Sequence, residues 1–157
     1  MKIFQQISSF SSTGKTFVTI GTFDGVHFGH QKIIEKLVSE AKKSGKKSVL
    51  LTFFPHPRMV LQTDASIELI NTIDERAALL EKTGLDYLII HPFSKEFSRT
   101  TALEFVRDIL VNQLNISKLI IGYDHHFGKN REGNITQLTE YSHLYDFKVV
   151  EIPAQDI

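Results

Sequence analysis

Gly21-Thr22-Phe23-Asp24-Gly25-Val26-His27-Phe28-Gly29-His30 is the stretch around which the chain is organised. It follows the apolar run Phe17-Val18-Thr19-Ile20, which reads as a buried strand. It precedes Ile33-Ile34-Glu35-Lys36-Leu37-Val38, whose apolar residues fit the core face of a helix. A strand, a glycine-rich turn and a helix start together make an anion site. Free backbone N–H groups and the positive end of the helix dipole converge there. Gly21, Gly25 and Gly29 let the backbone turn sharply and let a ligand come close. His27 and His30 add side-chain donors suited to a phosphate whose charge grows during reaction. From spacing alone, two histidines three apart fit surface or satisfied core residues as well as they fit an anion site. The stretch is neither the Walker P-loop, which needs G-x-x-x-x-G-K-[ST], nor the dinucleotide fingerprint G-x-G-x-x-G.

Outward from this stretch, strands and helices alternate. A short strand fits Ile3–Gln5, and Thr16–Ile20 is the first of five clear ones. A helix over 29–44 carries Ile33, Ile34, Leu37, Val38 and Ala41 as one stripe and ends at Gly45. Its charges read as a solvated face, with Lys32 the one nearest the anion site. The next strand, Lys47–Thr52, has the continuous core Val49-Leu50-Leu51 of a strand buried on both faces. Phe53-Phe54-Pro55-His56-Pro57-Arg58 follows it, and the two prolines forbid helix there. That segment reads either as a structural turn or as a stiff lip carrying aromatic and cationic groups. Thr72 and Glu75 form a capping box for a helix that runs to Thr83 and stops at Gly84, before a strand at Tyr87–Ile90. Thr101 and Glu104 form a second box, opening a helix that turns Phe105, Val106, Ile109, Leu110 and Leu114 inward. The strand Lys118–Ile121, the loop Gly122–Asn134, a helix over 135–144 and a strand Phe147–Ile152 complete the chain. Such alternation predicts an α/β fold, an open five-stranded parallel sheet with helices on both faces. Ligands in such sheets sit at the carboxyl ends of the strands. The three conspicuous segments all follow strands, so they are expected to meet on one edge.

Composition sets bounds. With 157 residues, one domain with a real core is expected. Eighteen basic and eighteen acidic residues give zero net charge, which argues against a broad footprint for nucleic acid or anionic membrane. No cysteine is present, so disulfides and thiolate metal sites are excluded, in keeping with a cytoplasmic protein. No apolar run approaches a membrane span, and the residues after Met1 hold no signal-peptide core. The loop Gly122–Asn134 holds Asp124, His125, His126, Phe127, Lys129 and Arg131. It reads as a mobile polar loop, as a nucleotide loop in which Lys129 and Arg131 meet phosphate and Phe127 stacks on a planar ring, or as part of a histidine zinc site. Adjacent histidines rarely point the same way, and no metal ligand is assigned.

Thr22-Phe23-Asp24-Gly25-Val26-His27-Phe28-Gly29-His30 resembles the His-x-Gly-His signature of the nucleotidylyltransferases. It is most similar to the FMN adenylyltransferase (FAD synthetase) module of bacterial bifunctional riboflavin kinase/FAD synthetases. The likeness covers nearly the whole chain and implies the strand order 3-2-1-4-5. It implies adenylyl transfer from ATP to FMN with Mg²⁺, giving FAD and pyrophosphate. Under it, Gly21, Thr22, Phe23, Asp24, His27, Gly29 and His30 bind ATP. His27, His30 and Asp124 are catalytic, and Pro55, His56, Pro57, Arg58 and Phe127 contact flavin. Two departures stand out. Phe54 replaces the family's Asp in Thr-Phe-Asp-Pro-His-Pro, and His125 replaces the first aromatic of V-G-x-[ND]-F-x-F-G. The family also carries Ile-Ser-Ser-Thr-x-x-Arg after the fifth strand, and the chain reaches Ile157 before it. Residues 1–157 are therefore read as an adenylyltransferase domain cut before that motif and before the riboflavin kinase domain, binding flavin but turning over slowly. The rival readings are a nucleotidylyltransferase for another phosphate acceptor, a flavin- or nucleotide-binding module without catalysis, and a histidine-rich metal protein.

Overall fold

The computed structural model describes residues 1–21, 28–54, 73–123, 128–129 and 133–153. Six strands form one parallel sheet. They are β1 (Lys2–Phe4), β2 (Thr16–Ile20), β3 (Lys47–Phe54), β4 (Tyr87–Pro92), β5 (Ile116–Gly122) and β6 (Lys148–Ile152), in the order β1-β4-β3-β2-β5-β6. The five from β4 to β6 reproduce the expected order 3-2-1-4-5. The sheet has six strands rather than five because the short segment near the N-terminus pairs with β4, Lys2 opposite Tyr87. Three residues are too few for an alternation pattern, so only the partner strand defines β1.

The helices are α1 (Phe28–Lys43), α2 (Ile73–Glu81), α3 (Ala102–Glu104, continuing as π-helical turns over Phe105–Gln113) and α4 (Ile135–Tyr145). They cover both faces, as the alternation requires. On one face, Ile33, Ile34, Leu37 and Ala41 of α1 and Leu80 of α2 pack on Phe17, Leu50, Leu88, Ile90 and Ile120. On the other, Phe105, Val106, Leu110 and Leu114 and Leu138 of α4 pack on Val18, Val49, Leu51, Ile89, Leu119 and Ile121. Adjacent residues of each central strand thus serve opposite cores. Val49, Leu50 and Leu51 are completely buried, as their unbroken apolar run foretold. The π turns after Glu104 were not expected. Val106, Leu110 and Leu114 lie four apart along this segment and are all fully buried.

Caps stand where the sequence put them, within the described residues. Gly45 is left-handed (φ +66°) and the Lys46 N–H reaches back to Ala41 O at 2.9 Å, closing α1. Thr101 and Glu104 make a reciprocal box, each backbone N–H 3.1 Å from the other's side chain. Thr72 lies outside the described residues, and α2 begins at Ile73. β3 and β4 each run two residues past the expected ends, because Phe53 pairs with His91 and Phe54 with Pro92. Local sequence does not show such a pairing, and Pro92 is tolerated at a strand end.

Two polar contacts hold the β4 side. At the amino edge, the Asp86 carboxylate accepts from the Ser48 N–H (2.9 Å) and hydroxyl (3.2 Å), and the Asp86 N–H donates to the Ser48 hydroxyl (3.0 Å). At the other end, His91 Nδ1 accepts the Ile7 N–H at 3.0 Å. This fixes the neutral ring with its proton on Nε2. Burial lowers the His91 pKa from its ordinary value. Phe4, Phe10 and Tyr87 meet edge to face, with centroids 5.2–6.0 Å apart.

Asp86→Ala leaves the buried Ser48 N–H unsatisfied and is expected to cost about 1–3 kcal/mol, read by urea unfolding. A variant as stable as wild type would show the clamp to be dispensable. His91 is expected to make stability depend on pH. Its folded pKa lies below the unfolded value of about 6.5, so the unfolded chain takes the proton first. The contribution is complete above the unfolded pKa and is lost as pH falls toward the folded one. The melting temperature should drop as pH falls below about 6.5, the unfolded value, and His91→Asn, which keeps an acceptor near Nδ1, should flatten that drop.

Candidate active site

All strands are parallel, so their carboxyl ends share one edge. The chain leaves β2 at Gly21, β3 at Phe54, β4 at Pro92 and β5 at Gly122 on that edge. From β2 it goes through α1 to β3 on one side. It reaches β5 on β2's other side only after β4 and α3. Connections over opposite faces leave a crevice between the ends of β2 and β5. Gly21 stands at its mouth, its N–H still bonded to Leu51 O of β3 at 3.0 Å.

The expected site residues divide as follows. Gly21 is described and sits at the β2 exit. Gly29 and His30 lie in the first turn of α1, where backbone N–H groups have no partner within the helix. Thr22, Phe23, Asp24 and His27 lie outside the described residues, between the β2 exit and α1. So do Pro55, His56, Pro57 and Arg58, which directly follow β3, and Asp124 and Phe127, which follow Tyr123 at the β5 exit. Gly21, Phe54 and Tyr123, the described residues that these stretches follow, lie on the same edge.

Sequence reading missed the part that α3 plays here. Gly128 is left-handed (φ +78°), and a Cβ on it would stand 2.9 Å from the Ala102 nitrogen and 3.0 Å from the Ala102 Cα. Next to it, the Lys129 N–H donates to Thr100 O at 2.7 Å. The β5–α4 loop is thus seated on the start of α3. The Thr101–Glu104 box placed the helix start, but nothing local in the sequence showed that Gly128 and Lys129 would rest on it. Two hydrogen bonds from Thr101, the backbone one foremost, hold the Glu104 carboxyl below its usual range. That suits a carboxylate in a helix's first turn.

The β3 and β4 exits carry an aromatic group. Phe97 lies 5.4 Å from Phe53, 5.7 Å from Phe93 and 4.8 Å from His91, centroid to centroid. An open groove of about 490 Å³ runs beside it, lined by His91, Ser94, Phe97, Arg99, Thr100 and Glu104. Thr100, the acceptor for Lys129, joins this groove to the β5–α4 loop. Among the described residues no three His, Cys, Asp or Glu side chains gather as a metal cage, and no helix is long and apolar enough to cross a membrane.

Comparison with known proteins follows this geometry. A crystal structure described as a macrolide-efflux protein from Streptococcus pneumoniae superposes with a TM-score of 0.81 at 25% identity, over 97% of this chain and 50% of that one. A bifunctional riboflavin kinase/FMN adenylyltransferase of Buchnera aphidicola (subsp. Schizaphis graminum) is 39% identical over 87% of this chain and 44% of its own length. The Escherichia coli K12 protein of the same description is 31% identical over 95% of this chain and 48% of its own. A FAD synthetase of Listeria monocytogenes is 36% identical over 87% of this chain and 55% of its own. The chain spans about half the length of these curated relatives. The family model for FAD synthetase matches residues 9–157, nearly everything from the first buried turn onward. With that match and a parallel sheet whose motif-bearing exits share one edge, the chain belongs to the FAD synthetase family.

Proposed function

We propose that this chain transfers the adenylyl group of ATP to FMN, giving FAD and pyrophosphate. The observation that carries the reading is the common edge. In a chain of the FAD synthetase family, the Gly21, Phe54 and Gly122 exits open around the β2/β5 crevice. A phosphate oxygen of FMN attacks the α-phosphorus of ATP, the bond from that phosphorus to the β-bridging oxygen breaks, and pyrophosphate departs. The acceptor phosphate is largely ionised at neutral pH, so no strong general base is required. Catalysis is then positioning and charge stabilisation.

In this reading Gly21, Thr22, Phe23, Asp24 and Gly29 shape the cradle for ATP at the start of α1. His27 and His30 donate to its phosphates as charge develops. Asp124 acts at the β5 exit, and Pro55, His56, Pro57, Arg58 and Phe127 hold the flavin. Mg²⁺ enters with the triphosphate, as it commonly does when one or two carboxylates and substrate phosphates share it. The reading places the protein in the cytoplasm, with ATP and FMN as its partners and no nucleic acid or membrane.

Purified chain given FMN and Mg-ATP should release pyrophosphate in step with FAD, both absent when FMN is omitted. Pyrophosphate release indifferent to FMN would sink the assignment. His30→Ala should lower turnover by about 10²–10³-fold, with little change in melting temperature. Near-normal turnover would remove His30 from the machinery.

A further inference from the structure

The β4–α3 connection has no role in the reaction as proposed, yet it is built as a stiff platform. The Phe97 N–H donates to the Ser94 hydroxyl at 3.0 Å, and the Thr100 N–H to Phe97 O at 3.0 Å. The Thr101–Glu104 box then locks the first turn of α3, and Ala102 is buried in the core. Gly128 and Lys129 press on this platform from the β5–α4 loop. There is no room for a side chain at Gly128, because the nearest atoms are Ala102 backbone rather than a movable side chain. The Lys129 N–H contact to Thr100 fixes the register of the seat. The loop between Tyr123 and Asn134 is thereby tied at its middle as well as at its ends.

We infer that this seat is a positioning device for the FMN acceptor, with Gly128 as its positioning residue and the start of α3 as its base. The inference rests on the adenylyl-transfer reading, which gives Asp124 and Phe127 to the same loop. Its distinctive consequence is selectivity. The ATP cradle at the start of α1 is a separate element, so displacing the seat should weaken FMN and spare ATP.

Three glycine variants separate this from simple loss of stability. Gly128→Asn keeps a residue that tolerates the left-handed backbone but places a Cβ against Ala102. Gly128→Ala adds backbone strain to the same contact. Gly45→Ala carries strain alone, since Gly45 is also left-handed (φ +66°) but has nothing within 4 Å of a Cβ. Binding of FMN by fluorescence quenching and of Mg-ATP by calorimetry is measured where circular dichroism shows each variant folded. Gly128→Asn should raise the FMN Kd by about 10- to 100-fold, the scale of a small misplacement, with the ATP Kd unchanged. Gly45→Ala should lower the melting temperature and leave both Kd values alone. Should Gly128→Ala fail to fold, Gly128→Asn decides the matter. A folded Gly128→Asn with the wild-type FMN Kd, or with FMN and ATP weakened alike, overturns the seat while the reaction stands. A wild-type chain that binds no FMN overturns the adenylyl-transfer reading and the seat together.

Discussion

Both long edges of β2 are hydrogen-bonded to parallel strands, β3 on one side and β5 on the other, and the rest of the structure depends on this. Parallel neighbours cannot be joined by a tight turn, so every connection must travel back over a face of the sheet. The connection from β2 to β3 uses α1 and the one from β5 to β6 uses α4, and these helices lie on opposite faces. At the carboxyl end of β2 the chain therefore departs in one direction while its other neighbour departs in the opposite one. A crevice is the geometric remainder. Gly21, the start of α1 and the Gly122 exit are its natural occupants.

That pairing can only exist in a sheet sealed on both sides. β2 is buried at all five positions, including Thr16 and Thr19. The polar group at its start is answered locally. The Thr16 hydroxyl donates to Leu114 O at 2.7 Å, where the helix α3 ends. The left-handed Asn115 (φ 54°) lets the chain turn from that helix into β5, and its amide side chain donates to Gly14 O at 2.9 Å. These contacts gather the ends of α3 and the starts of β2 and β5 at the amino edge. The strand exits at Gly21, Phe54 and Gly122 lie on the opposite edge.

The functional edge is assembled from segments that are far apart in the chain and brought close by the sheet. Gly128 meets Ala102, and His91 meets Ile7, 84 residues away. Neither contact adds chemistry of its own. Each fixes where a neighbouring segment lies, the first for the β5–α4 loop and the second for the N-terminal segment against β4. The proposed adenylyl transfer depends on placing two phosphates in line, and for it such placement is as consequential as the proposed donors themselves.

Much of this was legible in the sequence because it is local or periodic. The stripe Ile33, Ile34, Leu37 and Ala41 defined α1, the run Val49-Leu50-Leu51 defined a central strand, and Thr101 with Glu104 defined the start of α3. Strand–helix alternation with the residues from Thr22 to His30 pointed to the family, and the family implied the strand order. The third dimension alone decided what depends on partners distant in the chain. Three residues at Lys2–Phe4 become a strand only because β4 offers a free edge. Phe53 and Phe54 extend β3 only because His91 and Pro92 run beside them. Gly128 looks like any loop glycine until Ala102 is found where its Cβ would be. A sequence records each residue's own preferences and its near neighbours. A contact between residues 26 positions apart, or 84, is set by which elements pack together, and that is settled when the whole sheet closes on its two cores.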